Sequence, residues 1–414
     1  ALFPPTGVDD AIAAARATGT EHVAVVVRHE RDRVAEHVTA IDASCTIADQ
    51  DEIKGTGRAA EAGLSVLPAD LTGTVIITMG DVPLLTAQTL TDLTAAHEAA
   101  GAAVTVITAE LDDPTGYGRI VRDADGSVLK VMEHKDALAA REAGGEDAHV
   151  IDIREINSGI YAFDAIVLRE SLAKVTTDNA QGEKYLTDVL ALARAAGGRV
   201  EAHTIDDLMQ TEGVNDRVQL ARMNAEVNRR IVEKWMRAGV TIVDPDTTWI
   251  QPDVDIEQDV QIEPGTFLNG ATTIRSNSIV GPDCTITDSE IGHDVVITRS
   301  EVTLTDIADG ARVGPWANLR PGTMLGSQTT VGAFTETKNA QTGRGTAIKR
   351  LSYAGDVQLG DGVTVSAGTV FANNDGVAKQ TSTVGDGVFL SSSTTVVAPV
   401  KIESGSFIPA GSVI

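Results

Sequence analysis

Aliphatic residues recur along this chain at two different periods, one in each half. In the first half, short aliphatic runs at residues 22–27, 74–78 and 103–109 alternate with Ala-rich stretches, a pattern that predicts strands separated by helices. Helices are expected over 86–100, 165–174 and 185–196, the last halted by Gly197 and Gly198. Helical crossovers between strands imply a mostly parallel sheet. Ligands of such sheets bind beyond the carboxyl ends of the strands, so the turn Met79-Gly80-Asp81 is a place to look for chemistry. A longer helix is predicted over 215–238, where Val218, Met223, Val227, Ile231 and Trp235 form one apolar stripe. The next residues, AGVTIVDPDTTW, hold Gly239 and Pro245 without a helical period and read as a connector.

Beyond residue 240 the period becomes six. Ile250, Ile256, Ile262, Leu268, Ile274, Val280 and Ile286 follow one another unbroken, and the spacing resumes at Val313, Leu319, Leu325 and Val331. It returns at Val384, Leu390, Val396, Ile402, Ile408 and Ile414. Neither a helix nor an ordinary strand has this period, so the chain from about Trp249 to Ile414 is expected to be a parallel β-helix of hexapeptide repeats. With three hexads to a triangular coil, each side buries one aliphatic against the coil below, and stacking supplies the core that no single coil has. The step from Phe371 to Val384 is 384 − 371 = 13 residues, where 12 would keep register. The polar segment ANNDGVAKQTST is therefore expected to bulge from the wall, as decoration or as a binding loop with equal weight.

The length of 414 residues favours two domains over one core. Acidic residues outnumber basic ones, 59 to 33, and the formal charge of −26 repels phosphate backbones and anionic lipid. No nucleic acid and no membrane partner is expected. Aromatic residues are only 3% of the chain, too few for recognition by base stacking. Cys45 and Cys284 cannot make a disulfide framework, which fits a reducing cytoplasm and suggests no catalytic thiol. No apolar run approaches the roughly 20 residues of a membrane span, and ALFPPTGVDD lacks the blocks of a signal peptide. A soluble cytoplasmic protein is the expectation.

Twelve segments, in order, match one family: QDEIKGTGRA, GDVPLL, DDPTGYGRI, MEHKDA, EINSGIYAFD, NAQGEKYLTDV, GVNDRVQLA, RPGT, ETKN, the Tyr353-Ala-Gly-Asp356 stretch, NNDG and VVAPV. Together they resemble the bifunctional N-acetylglucosamine-1-phosphate uridylyltransferase and glucosamine-1-phosphate N-acetyltransferase, the GlmU family. The resemblance covers nearly the whole chain. It implies an α/β, doubly wound nucleotidyltransferase domain (1–214), a linking helix (215–240) and a left-handed parallel β-helix carrying acetyl transfer (241–414). It also implies a homotrimer joined through the solenoid, making UDP-N-acetylglucosamine for cell-wall and peptidoglycan precursors.

For the first site, the resemblance implies attack of N-acetylglucosamine 1-phosphate on the α-phosphate of UTP with release of pyrophosphate. Asp81 and Asn215 match the family's Mg²⁺ ligands, hard oxygen groups that leave room for water and phosphates. Taken alone, Asp81 reads first as the N-cap of the following helix, and only the other motifs turn the reading toward metal binding. Gln50, Gly55 and Thr56 match the residues that read uracil, although alone they form an ordinary turn. Gly118, Glu133 and Asn157 match the sugar-binding positions, and singly they read as solvated polar surface. The family's Gly-rich phosphate loop, LAAGxGTRM-like, has no counterpart after Ala1, and the chain stops in register at Ile414. A piece truncated at both ends is the expectation.

For the second site, the resemblance implies transfer from acetyl-CoA to glucosamine 1-phosphate, assisted by a base that takes a proton from the sugar ammonium. The family's base is the His of a His-Leu-Thr-Tyr motif, and Arg350 stands there, followed by Leu351, Ser352 and Tyr353. Arginine keeps its proton throughout the physiological range and does not serve as a base, though it binds phosphate well. Arg320, Lys338, Tyr353 and Lys379 match the glucosamine 1-phosphate contacts, where cations give charge-assisted bonds to phosphate. Ala367, Asn373, Asn374, Ser392 and Ala410 match positions near coenzyme A. Asn374 replaces the Tyr of the family's NYDG loop, Thr364 replaces an Asn, and Arg58 replaces the His of GTGHA. Two other readings stay open: a catalytically silent trimeric scaffold, and a sugar nucleotidyltransferase whose solenoid serves only assembly.

Overall fold

The structure is a computed structural model and describes residues 7–179, 181–214, 216–374 and 376–414. The chain divides into two compact units, the first running to Met223 and the second starting at Asn224.

The first unit alternates helices and strands: α1 (Gly7–Ala17), β1 (Ala24–Val27), α2 (Arg31–Ile41), β2 (Thr46–Asp49), α3 (Thr56–Ser65), β3 (Thr74–Ile77), α4 (Ala87–Ala100), β4 (Val104–Glu110), β5 (Arg119–Arg122) and β6 (Val128–Met132). It continues with α5 (His134–Ala143), β7 (Glu155–Asp164), α6 (Ala165–Leu172), α7 (Asp188–Ala195), β8 (Val200–Thr204) and α8 (Arg217–Arg237), with a 3₁₀ turn at Glu146–Asp152. Helix α7 ends as expected, with Gly198 donating back to the Ala193 carbonyl at 2.9 Å. β1 and β2 pair in parallel, as do β4 and β8. A mostly parallel sheet, however, is realised only in part. β7 runs antiparallel to β3, β4 and β5, although α5 and the 3₁₀ turn precede it in the chain.

Along β7 the side chains alternate between two covered faces. Tyr161 and Phe163 pack with Leu168, Val189 and Leu190, while Ile160 and Ala162 pack with Leu90 and Leu93 of α4. Each fully buried side chain of this size contributes roughly 1.5–3 kcal/mol, so the sheet is a rigid floor for whatever its strand ends carry.

The second unit begins within α8. Val232 and Trp235 enter the solenoid core, and the buried Asn228 amide donates to Thr248 O at 2.8 Å and accepts from Ile250 N at 3.0 Å. Val218 departs from the predicted stripe, being 71% exposed. The expected connector already contributes a solenoid strand, Thr241–Ile242, paired with Gln261–Ile262. Every coil then stacks on the one before in parallel register: Ile250 beside Leu268, Ile256 beside Ile274, Ile262 beside Val280, each partner three hexads further along. All six of these aliphatics are buried.

A second inward position lies two residues earlier and is often Thr or Ser, as at Thr248, Thr266, Thr272 and Ser278. Their hydroxyls donate to backbone carbonyls, Thr266 to Glu263 O at 2.7 Å and Ser278 to Gly292 O at 2.8 Å, which is what makes burial of a polar group tolerable. The predicted bulge is present. The strand Tyr353–Leu359 pairs with Val370–Ala372 through its first half and with Ser382–Val384 through its second, and the residues between leave the wall.

Candidate functional site

Gln50 follows β2 directly, and its side-chain amide donates to the carbonyls of Ile53 at 3.0 Å and Gly55 at 3.2 Å, closing a turn. No other bond of this side chain exists among the described residues, so its amide oxygen is open to a ligand donor. The turn is sutured to the segment before α7. Gly57 N donates to Lys184 O at 2.9 Å, Lys184 N to Lys54 O at 2.9 Å, and the Thr56 hydroxyl accepts from Leu186 N at 3.1 Å. Gly55 has φ +113°, and an ideal Cβ there would lie 2.7 Å from the Lys184 carbonyl carbon, so both conformation and space require glycine. Arg58, at the position of the family's His, is tied into ion pairs with Asp51 at 2.6 Å and Glu61 at 2.7 Å, and Lys184 joins Glu61 at 2.6 Å. Lys184 lies in a quoted motif, but only the fold reveals that its backbone fixes the turn.

Gly118, Glu133 and Asn157 form one row across three strands. Arg119 pairs with Met132 on one side and Ile156 on the other, which sets Gly118 opposite Glu133 and Asn157 in the next row. Asn157 N donates to Gly118 O at 2.9 Å. A Cβ on Gly118 would stand 3.6 Å from both Asn157 Cβ and Glu133 Oε2 and 3.1 Å from Val131 Cγ1. Tyr161 donates to Asn157 Oδ1 at 2.8 Å, and Thr187 donates to Glu133 Oε1 at 3.4 Å. Burial pushes the Glu133 carboxyl above its ordinary range against the Thr187 hydrogen bond, with the charges of Asp136 and Asp188 adding to the rise. Burial likewise pushes the Tyr161 hydroxyl up, with Glu133 contributing. Tyr161 and Thr187 were not singled out from sequence; the motifs EINSGIYAFD and NAQGEKYLTDV that contain them were the available signal.

Beneath this row, Arg119 is 1% exposed. Its guanidinium meets the carbonyls of Ile151, at 3.3 Å, and Tyr117, and His134 Nδ1 at 3.4 Å. Among the described residues no carboxylate is hydrogen-bonded to it, and burial holds it below the ordinary arginine range.

Asp81 lies beyond β3, where Gly159, at φ +81°, leaves room for Met79; a Cβ on Gly159 would be 3.1 Å from Met79 Cε. The turn therefore sits beside the Asn157 strand. Helix α4 is capped by Thr86, whose side chain accepts from Thr89 N, so Asp81 is not its cap. Val214 N donates to Asp81 O at 2.9 Å. Asn215 lies outside the described residues. The Asp81 carboxylate is exposed and has no hydrogen-bond partner among the described residues. A hard cation that keeps its waters and takes one or two protein oxygens suits such a group. Among the described residues no cluster of three or more His, Cys, Asp or Glu is arranged as a closed metal cage.

On the solenoid, Arg320 N donates to Thr337 O at 2.9 Å, and Leu319 pairs with Thr337, so Arg320 and Lys338 stand side by side on successive coils. Lys338 in turn pairs with Gly355. Tyr353 folds over that glycine, where a Cβ would be 2.6 Å from Tyr353 Cζ. Lys379 returns to the wall from the protruding segment and contacts Lys338, which it pushes below the ordinary lysine range. Arg320 pairs with Glu336 at 2.8 Å. The four residues matched to a sugar phosphate thus converge.

The corner of the triangle gathers the remaining positions. Gly368 N donates to Arg350 O at 3.1 Å, Ser393 N to Ala367 O at 2.9 Å, and Gly411 N to Ser392 O at 3.0 Å. Arg350, Ala367, Ser392 and Ala410 therefore belong to one edge of successive coils, with the Arg350 side chain exposed and unbonded among the described residues. Asn373 is buried at the root of the protruding segment, and Asn374 bridges to Lys379 across it. Thr364 lies apart from this edge, in the strand Thr364–Val365.

The family model described as Nucleotidyl transferase matches residues 8–236. Three curated relatives share the name Bifunctional protein GlmU. That of Paenarthrobacter aurescens is 53% identical over 409 residues, covering 98% of this chain and 80% of the relative. That of Micrococcus luteus is 50% identical over 412 residues, covering 98% and 83%, and that of Mycolicibacterium vanbaalenii 48% identical over 397, covering 95% and 79%.

The chain belongs to the GlmU family.

The relatives' name denotes two functions, and the chain carries one convergent set of polar residues on each unit. No described helix is long and apolar enough to cross a membrane.

Proposed function

We propose that this GlmU-family chain makes UDP-N-acetylglucosamine through uridylyl transfer on its α/β unit and, with reduced competence, acetyl transfer on its solenoid. The observation that carries the first activity is the row Gly118–Glu133–Asn157 lying beside the Asp81 turn. Glu133 and the Asn157 amide orient the sugar through its hydroxyl and acetamido groups, and Gly118 keeps the floor of the row free of a side chain. The turn closed by Gln50 and Gly55 presents an amide oxygen and backbone groups to the uracil edge. Asp81 and Asn215 would hold Mg²⁺, which when bound would shield the negative charge that gathers as pyrophosphate leaves. A phosphate oxygen of N-acetylglucosamine 1-phosphate attacks the UTP α-phosphorus, and the bond to pyrophosphate breaks in line.

On the solenoid, Arg320, Lys338, Tyr353 and Lys379 take the phosphate of glucosamine 1-phosphate, and the edge through Ala367, Asn373, Asn374, Ser392 and Ala410 takes acetyl-CoA. Arg350 supplies charge but no base, so the acceptor amine must arrive already neutral, and transfer is slow. One observation favours the monofunctional reading: among the described residues the Arg350 guanidinium has no carboxylate or carbonyl partner that would recruit it into a proton relay.

Self-association as a homotrimer is supported by the exposed stacked pair Trp316 and Phe334, 55% and 56% accessible, with ring centroids 5.0 Å apart and 10° between planes. Sedimentation at micromolar concentration tests it. The substrates place the protein in the cytoplasm, with peptidoglycan synthesis downstream. The activity is tested by incubating the complete protein with UTP, N-acetylglucosamine 1-phosphate and Mg²⁺. Pyrophosphate release is expected, and its absence overturns the reading.

A further inference from the structure

Lysine offers three donors and no acceptor, so two ammonium groups in contact are satisfied only by an anion between them or by loss of a proton. Lys338 and Lys379 make this contact on the solenoid wall. Beside them is a carboxylate, Asp356, only 8% exposed. Both its oxygens are taken: Oδ1 accepts from Asn339 Nδ2 at 2.8 Å, and Oδ2 accepts from Asn373 Nδ2 at 2.5 Å. Burial acts to raise this carboxyl, but the two amides and the charges of Lys338 and Lys379 outweigh it and hold it below the ordinary range.

Asn339 and Asp356 both adopt the left-handed conformation, with φ of 46° and 47°, a strain that side-chain amides and carboxylates tolerate best. They mark the same corner of successive coils. Asn373 continues this column, and it is also where the protruding segment leaves the wall: Gln380 N donates to Asn373 O at 2.8 Å, and Asn374 pairs with Lys379. The grip on Asn373 therefore controls where Lys379 comes to rest.

We propose that Asp356 is a positioning residue of the solenoid site: by holding Asn373 it seats the protruding segment so that Lys379 stands against Lys338, and the two ammonium groups together receive the phosphate of an amino-sugar phosphate. The proposal rests on the reading of this site as a sugar-phosphate site. Its competitor is a plain counter-ion, in which the charge of Asp356 matters and its grip does not. Two substitutions separate the roles. Asp356→Ala removes charge and grip. Asp356→Asn removes the charge but keeps both hydrogen bonds once a neighbouring amide turns over.

The ligand-free readout is the reactivity of Lys338 toward trace acetic anhydride at pH 8, measured by mass spectrometry on the full chain relative to the exposed Lys174. Wild-type Lys338 is expected to react faster than Lys174, and Lys379→Ala to abolish the difference. Asp356→Ala is expected to abolish it too, whereas Asp356→Asn keeps it. The carboxylate's own charge raises Lys338, so a counter-ion would give a more reactive Lys338 in both Asp356 variants; that result, or equal behaviour of the two variants, overturns the proposal. Calorimetric titration with glucosamine 1-phosphate gives the second readout. Affinity should fall about tenfold in Asp356→Ala and Lys379→Ala, no further in the double variant, and less than about twofold in Asp356→Asn. Additive losses overturn the proposal. A folded wild type that binds no glucosamine 1-phosphate yet shows the expected acylation pattern rejects the sugar-phosphate reading and upholds the coupling of Asp356 to Lys379.

Discussion

Gly55 presses against the backbone of Lys184, residues far apart in sequence, so closely that a Cβ at position 55 would stand 2.7 Å from the Lys184 carbonyl carbon. This contact joins the turn after β2 to the segment before α7. It makes the turn proposed to read uracil a product of two distant pieces of chain.

Gly55→Ala is accordingly expected to cost on the order of 2–4 kcal/mol, from a positive φ and a backbone clash together, read as a lower urea midpoint. The KM for UTP should rise more than that for N-acetylglucosamine 1-phosphate, because the glycine belongs to the turn and not to the sugar row.

Arg119 is expected to act through the row above it. Arg119→Lys keeps the charge but loses the fork that spans Tyr117 O, Ile151 O and His134. The KM for N-acetylglucosamine 1-phosphate should rise by roughly tenfold, as for loss of a bond or two of about 1 kcal/mol each, with the KM for UTP nearly unchanged. Arg119→Met leaves buried carbonyls unpaired and should lower Tm more than Arg119→Lys does. Steady-state kinetics and calorimetry check both.

Glu133 carries a stability cost. Its carboxyl is raised in the folded protein, chiefly by burial, so protonation favours folding. That contribution is full below the unfolded value, about 4.3, and is lost as pH rises through the higher folded value. Glu133→Gln is therefore expected to raise Tm at pH 7.5 and to change it little at pH 4, while weakening sugar-phosphate binding. Thermal melts at the two pH values, with titration at the higher one, give the answer.

Arg350→His should restore a base at the solenoid edge. Release of free coenzyme A from acetyl-CoA and glucosamine 1-phosphate is expected to rise by roughly 100-fold or more, the usual contribution of a positioned base. Its rate should also acquire a pH dependence near the histidine range. A wild type already as fast as the variant would show that the base is not needed here.

Much of the architecture was legible because it is periodic. The hexads from Ile250 to Ile286 all turn inward, since in a stacked coil every sixth residue meets the one below. Helix α4 was placed to within one residue of its observed start at Ala87, but its cap was not, since Thr86 caps it and not Asp81. The inward Thr and Ser column was not legible: a buried hydroxyl that donates to its own backbone looks, in sequence, like surface. Nor was the reversal of β7, because strand periodicity is the same in both directions.

By itself the sequence determined the two periods, the family motifs and the substitution of Arg350 at the base position, for these depend on residue identity and short spacing. Only the tertiary structure decided which motifs meet. The row Gly118–Glu133–Asn157 exists because β5, β6 and β7 pair in one antiparallel register. The cation pair exists because Lys379 returns from a segment whose root, Asn373, is held by Asp356. Contacts of this kind are set by strand register and coil stacking, and these follow from how whole faces bury together, a property that no local stretch of chain contains.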